Sequence, residues 1–154
     1  SVRYGDLGLT NVVLKDITIK KCPECGHSLT LIPDLDGLSR YVVESLINKT
    51  ERLSRNEISY LRKSLGWSKA DCARNLHVWP EQVSRWESDV TPVSMQVQSE
   101  LLLRVIVALV KKVEGFSNHL EEVATVNPEQ TPLLSMHYGN KGWETVVKKD
   151  ARIV

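Results

Sequence analysis

A short segment after Pro80 concentrates side chains that can form directional hydrogen bonds. They are Glu81, Gln82, Ser84 and Arg85. In a helix that begins at Pro80, Val83 and Trp86 would point inward and leave these polar groups outside. An arginine can pair bidentately with guanine, a glutamine can pair with adenine, and a carboxylate can accept a hydrogen bond from cytosine. The segment therefore predicts recognition of base edges.

The same side chains have ordinary alternative roles. Arg85 could form an ion pair with Glu81, one helical turn earlier. Glu81 also repels phosphate, so it would act mainly against wrong DNA sequences. Trp79, directly before the helix, would either stack on a sugar-phosphate edge or cover the turn.

Three short helices are predicted to position these residues. Two S-x-x-acid capping patterns mark helix starts: Ser54 with Glu57, and Ser68 with Asp71. The first helix should begin at Arg55 and end at Gly66, and Pro80 should open the third. Apolar residues at helical spacing give the first two helices a buried face: Ile58, Leu61, Leu65, Cys72, Ala73 and Leu76.

The run S-K-A-D-C-A-R-N-L-H-V, followed by V-S-R-W-E and Pro92, resembles the lambda-repressor-like (Xre) helix-turn-helix family. The resemblance implies double-stranded DNA as a partner. It also implies that Lys69, at the first turn of the second helix, contacts a phosphate. The chain departs from the family wording at His77 in the turn, at Trp79 before Pro80, and at Asp89 after the third helix.

Upstream, residues 4–33 contain G-L-T-N-V-V-L-K-D-I and C-P-E-C-G, and they resemble the zinc-binding amino-terminal region of MqsA-type antitoxins, the YgiT zinc-finger/helix-turn-helix family. The two resemblances together cover residues 4–109. They imply an antitoxin-type repressor that binds its own operator, and a cognate toxin as a protein partner.

Cys22 and Cys25 are the candidate metal ligands, and they supply half of a tetrahedral zinc site. Cys72 is expected on a buried helix face, and His27 lies too near the knuckle turn to bind without strain. Two arrangements stay open: two chains pool their cysteines around zinc, or the pair persists as a turn without metal. Redox activity is disfavoured, because Gly26 and a strand-like segment follow the cysteines where a redox motif would have a helix.

Composition places the chain among ordinary globular proteins. It has 154 residues, 42% apolar and 25% charged, and a formal net charge of +1. No apolar run approaches the ~20 residues of a membrane span, and no secretory pattern opens the chain, so a cytoplasmic location is expected. Between Lys49 and Arg85, eight basic residues face four acidic ones, which suits a phosphate-facing surface but also an ordinary solvated face.

We expect an α+β fold, mainly α. The predicted segments are a β-rich cysteine-knuckle domain over 1–36, a linking helix over 37–52, the helix-turn-helix domain over 53–113, and an extension of unknown role over 114–154. Leu9–Ile19 should form one or two strands. A helix capped by Ser94 should run from Met95 to Val113, and its nearly all-round apolar surface predicts burial on more than one face, as a core helix or a dimer seam.

The sequence thus predicts a homodimeric transcriptional regulator that binds a palindrome. A phage or mobile-element repressor without a toxin is the alternative within DNA binding. From another class, a zinc-stabilised protein-interaction module that has lost DNA binding also stays open. Catalysis is not expected, because the histidines are scattered: His27, His77, His119 and His137.

Overall fold

The computed structural model describes residues 2–90, 93–125 and 133–146, and within them the chain is α+β. These residues form five α-helices and six strands in two sheets. They divide into two compact units, one holding 2–41 with 133–146 and the other holding 42–90 with 93–125. No helix in these ranges combines the length and apolarity that crossing a bilayer requires.

The first unit is built on a four-stranded sheet and a separate hairpin. The strands are β1 (Val2–Arg3), β2 (Val12–Lys15), β3 (Thr18–Lys21), β4 (Ser28–Leu31), β5 (Leu134–Gly139) and β6 (Gly142–Thr145). The larger sheet has the order β1-β2-β5-β6, with β2 and β5 parallel and the other pairs antiparallel. The hairpin pairs β3 with β4. Alternation in β2 buries Val12 and Leu14 and half-exposes their neighbours.

Strands from the end of the chain complete the amino-terminal sheet. Strands β5 and β6 form a hairpin around Gly139 and Gly142, and β5 lies beside β2. The hydroxyl of Tyr41 accepts a hydrogen bond from the amide of Thr145 at 2.9 Å. The indole of Trp143 donates to the carbonyl of Asp34 at 3.2 Å. These contacts give residues 133–146 a structural role in the first unit.

The second unit is helical. Its helices are the carboxyl half of α1 (Leu35–Asn48), followed by α2 (Arg55–Ser64), α3 (Lys69–Leu76), α4 (Pro80–Trp86) and α5 (Val97–Val110). Both predicted capping boxes are confirmed: the hydroxyls of Ser54 and Ser68 accept from the backbone three residues on, and the acids at those positions accept from the cap residues. The predicted starts of α2 at Arg55 and of α4 at Pro80 are also confirmed.

The predicted bounds of the last helix were wrong. It begins at Val97 after Gln96 and not at Met95 after Ser94, because Met95 is buried and its carbonyl accepts a hydrogen bond from Arg52. It ends at Val110 and not at Val113. Within one chain α5 is buried on one face only, since Leu109 is 73% exposed and Val110 57% exposed.

A buried ionic network organises the second unit. The guanidinium of Arg104 is completely buried, and it donates to the carboxylate of Glu100 at 2.6 Å. It also donates to three backbone carbonyls. One belongs to Ile47 in the last turn of α1, at 3.1 Å, and the others belong to Lys49 and Glu51 after the helix, both at 2.6 Å. Glu100 in turn accepts from Arg52 at 2.6 Å and from the amide of Leu53 at 2.9 Å. The network therefore fixes the connection between α1 and α2 against α5.

Replacing Arg104 tests how much of the fold rests on this network. Arg104→Met should lower the free energy of unfolding by about 3–5 kcal/mol, because three carbonyls lose the guanidinium that donates to them and the buried carboxylate of Glu100 loses one of its two cationic partners. Arg74→Met is the matched control, since Arg74 also pairs with an acid on its own helix, Asp71, but is exposed. Its effect should stay below about 0.5 kcal/mol. Urea denaturation measures both, and equal effects would contradict the assignment.

Candidate nucleic-acid interface

The turn between α3 and α4 forms despite its departures from the family wording. His77 adopts the left-handed conformation, with φ 54 and ψ 44, which histidine tolerates better than most side chains. The amide of Val78 donates back to the carbonyl of Ala73 at 2.9 Å and closes the end of α3. The lack of glycine at position 77 therefore does not abolish the turn.

A small apolar core holds α3 against α4. The side chains of Cys72, Ala73 and Leu76 on α3 are buried, as are Val83 and Trp86 on α4, as the sequence predicts. Burial raises the pKa of the Cys72 thiol to about 11, so this cysteine serves as a small apolar residue. The opposite side of α4 does not take part in this core, and its residues Glu81, Ser84 and Arg85 are exposed.

A buried ion pair fixes the end of α4. Arg62 on α2 donates to both carboxylate oxygens of Glu87, at 2.6 and 3.0 Å, and both side chains are almost fully buried. It also donates to the carbonyl of Trp67, in the turn before α3, at 2.7 Å. The hydrogen bond to Glu87 raises the pKa of Arg62. The guanidinium of Arg62 thus joins α2 to the turn before α3 and to the end of α4.

This ion pair corrects the charge count made from the sequence. Arg62 belongs to the basic excess of the sequence, but its side chain lies inside the unit. Lys49, which pairs with Glu57 at 2.6 Å, is also buried there, and Arg52, which pairs with Glu100, is largely buried. The basic excess on the surface is therefore smaller than the composition of the segment indicates. Between Lys49 and Arg85, the exposed basic residues outside every ion pair found among the described residues are Lys63, Lys69 and Arg85.

The outward face of α4 carries the predicted hydrogen-bonding residues. Glu81, Ser84 and Arg85 are exposed, and Gln82 is half-buried beside them. Over the described residues Arg85 makes no ion pair, so the alternative pairing with Glu81 is not formed. Its guanidinium remains available to an external partner. Lys69 is exposed at the first residue of α3.

Gln82 has a duty that the sequence analysis missed. Its side-chain oxygen accepts a hydrogen bond from the backbone N–H of Trp79 at 3.0 Å, which caps the start of α4. Bidentate pairing with adenine uses both the oxygen and the amide nitrogen of a glutamine. In this conformation only the nitrogen of Gln82 is free, so the residue can donate to a partner but not pair with adenine. The spacing of three residues from Trp79 to Gln82, which is the spacing of a capping box, could have indicated this hydrogen bond from the sequence.

Trp79 precedes α4 in an extended conformation, and its side chain is 76% exposed. The alternative in which this indole covers the turn is therefore not what the structure shows. Asp89 is exposed and pairs with Arg55 at 2.8 Å, beyond the end of α4. Neither departure from the family wording obstructs the outward face of the helix.

The cysteine pair lies at the tip of the β3–β4 hairpin. The amide of Cys22 donates to the carbonyl of His27 at 2.8 Å, and the amide of Gly26 donates to the carbonyl of Cys22 at 3.0 Å. Gly26 has a φ of +71, which glycine adopts without strain. Hydrogen bonds from the backbone and side chain of Cys25, and from the backbone of Glu24, lower the pKa of the Cys22 thiol. These hydrogen bonds favour the thiolate form of Cys22.

The described residues of one chain do not supply a complete zinc site. Among the described residues no group of three or more histidine, cysteine or acidic side chains is arranged to hold a metal ion. Cys72 is buried on α3, as the sequence predicts. Tetrahedral zinc takes four ligands, so Cys22 and Cys25 fit only half of that requirement.

The three thiols should differ in reactivity. In native, chelator-treated protein at pH 7–8, iodoacetamide should modify Cys22 and Cys25 and spare Cys72, which is buried and whose pKa is raised. Unfolded protein should be modified at all three positions. Mass spectrometry of the peptides measures this. Rapid native modification of Cys72 would contradict its place in the core, and protection of Cys22 and Cys25 that only chelator removes would reveal bound metal.

Comparison of the chain with protein-family models, with curated proteins and with solved structures found no match. The resemblances to the Xre and MqsA-type families rest on the residues quoted above.

Proposed function

We propose that this chain is a sequence-specific DNA-binding transcriptional regulator that uses α3 and α4 as a helix-turn-helix. The observation that carries the proposal is the contrast between the two sides of α4. Val83, Trp86 and the Arg62–Glu87 pair hold its inner side, while Arg85 and its polar neighbours are exposed with no ion pair among the described residues. A rigid helix with an unoccupied polar face suits recognition of base edges.

The roles of the side chains follow from their positions. With α4 in the major groove, Arg85 would donate to guanine, while Ser84 and the free nitrogen of Gln82 would donate to nearby acceptors. Lys69, at the start of α3, would contact the phosphate backbone and fix the register. Glu81 would accept from cytosine and disfavour other bases.

Homodimerisation is part of the proposal. Leu102, Val105, Ile106 and Leu109 follow one another at helical spacing along α5, and Leu109 is largely exposed in a single chain. Covering this stripe with the same stripe of a second copy would remove it from water. A two-fold pair would present two α4 helices to half-sites about 34–36 Å apart, which is the spacing of a palindromic operator. By resemblance, the regulator would be an antitoxin-type autorepressor.

Exchanging Arg85 and Lys69 for alanine separates base recognition from phosphate contact. Arg85→Ala should weaken binding to the preferred site by about 1–3 kcal/mol while binding to unrelated DNA changes little. Lys69→Ala should weaken binding to both DNAs alike and reduce the salt dependence. Fluorescence anisotropy at several salt concentrations measures both variants. Unchanged binding of Arg85→Ala to the preferred site would contradict the placement of α4.

A charge on the α5 stripe tests the dimer. Leu109→Glu should convert the protein to a monomer at micromolar concentration, because two carboxylates would face each other in an apolar seam. Leu133→Glu is the control, since Leu133 is also exposed but lies outside α5 and outside the β3–β4 hairpin. Sedimentation equilibrium distinguishes the two states. A wild-type monomer, or a dimer unaffected by Leu109→Glu, would exclude this seam.

The hairpin supports a second candidate function, binding of a protein partner. Ile19, Leu29 and Leu31 are exposed large apolar residues on a sheet of only two strands, and such a sheet can accept a further strand at its edge. By resemblance, the partner would be a toxin. A module that had lost DNA binding would bind a protein encoded beside it, lose that binding in Leu29→Glu, and fail to enrich any DNA sequence.

A zinc site would need two copies of the chain. Each would contribute Cys22 and Cys25 to a shared site, which corresponds to about half a zinc ion per chain. The ion would lend the knuckle structural stability and take no part in a reaction.

A further inference from the structure

Trp79 lies at a point where the backbone has little freedom. Pro80 follows it with a ring-fixed φ, and its own N–H is held by the oxygen of Gln82 at 3.0 Å. Its carbonyl accepts from the amide of Gln82 at 2.9 Å. The indole, 76% exposed, therefore projects from a fixed position at the start of α4. Because the backbone at this point is already ordered, an external contact of the indole would cost no further ordering of the chain.

The residue type at this position is unfavourable for the helix alone. Serine, threonine, aspartate and asparagine are preferred there because their side chains accept from the first free amides, and the indole of Trp79 provides no such cap. Tryptophan also exposes a large apolar surface to water, which folding of this chain does not remove. Neither property helps local stability, so the residue is better explained by a contact with a ligand.

We propose that Trp79 is a specificity-determining residue that packs against the C5-methyl group of a thymine in the major groove. The inference rests on the proposed function, because it assumes that α4 enters that groove. Of the groups on base edges there, the thymine methyl is the apolar one. The first residues of a recognition helix are those that approach the base edges. The indole of Trp79 and the exposed ring of Pro80 together offer an apolar surface at this point.

The neighbouring charge favours a base over the backbone. Glu81 is exposed two residues after Trp79, and over the described residues no basic side chain pairs with it. Its carboxylate repels phosphate oxygens, which disfavours seating the indole on the sugar-phosphate edge. A thymine methyl carries no charge and meets no such repulsion.

Replacing thymine by uracil removes only the methyl group and so tests the contact directly. Each thymine of the preferred site is exchanged in turn, and binding is measured for the full chain by fluorescence anisotropy. At one position in each half-site, uracil should weaken wild-type binding about fourfold, which is the effect of one buried methyl group. Trp79→Ala should bind the thymine and uracil sites equally, while Trp79→Phe should keep most of the discrimination.

Arg85→Ala is the matched control. It should bind all sites more weakly and still prefer thymine to uracil, because it leaves the indole in place. Thermal unfolding verifies that the exposed Trp79 variants fold. Equal wild-type affinity for thymine and uracil at every position would overturn the inference, as would full discrimination in Trp79→Ala. If specific DNA binding persists in either case, the proposed function stands, whereas absence of any preferred DNA sequence would overturn both.

Discussion

The second unit depends on one completely buried guanidinium. Arg104 gathers carbonyls from the end of α1 and from the segment after it, and Glu100 binds the amide of Leu53 one residue before the capping serine of α2. Each of the two terminal nitrogens of Arg104 donates two hydrogen bonds, whereas its Nε has no partner among the described residues. Together with the bonds of Glu100, these contacts tie the segment before α2 to α5. Glu57 then joins the α2 cap to Lys49, and Arg62 joins α2 to the end of α4.

This arrangement limits what the surface can do. Three basic residues that precede α3 in the sequence form ion pairs inside the unit and do not contribute to its surface charge: Lys49, Arg52 and Arg62. With a formal net charge of only +1, long-range attraction to DNA would be weak, so the proposed DNA binding would depend on close contacts and on doubling the site. In the proposed dimer, pairing the apolar stripes of two α5 helices would present the outward face of α4 twice.

Local features were predictable and long-range ones were not. The starts of α2 and α4 follow from the capping box at Ser54 and from Pro80, since such signals act within one helical turn. The parallel pairing of β2 with β5 was missed, because strand periodicity says nothing about which distant segment supplies the partner. The burial of Arg62 was missed for a related reason: its partner Glu87 is 25 residues away, and composition does not distinguish an internal arginine from a surface one.

Selection from a pool of random DNA duplexes tests the central claim most directly. The full chain is used as purified, and the bound duplexes are amplified and sequenced over successive rounds. A dimer that reads base edges through α4 should enrich an inverted repeat whose half-sites lie one helical turn apart, about 10–10.5 base pairs between centres. Recovery of no common sequence from wild-type protein that is folded and dimeric would contradict the proposed function.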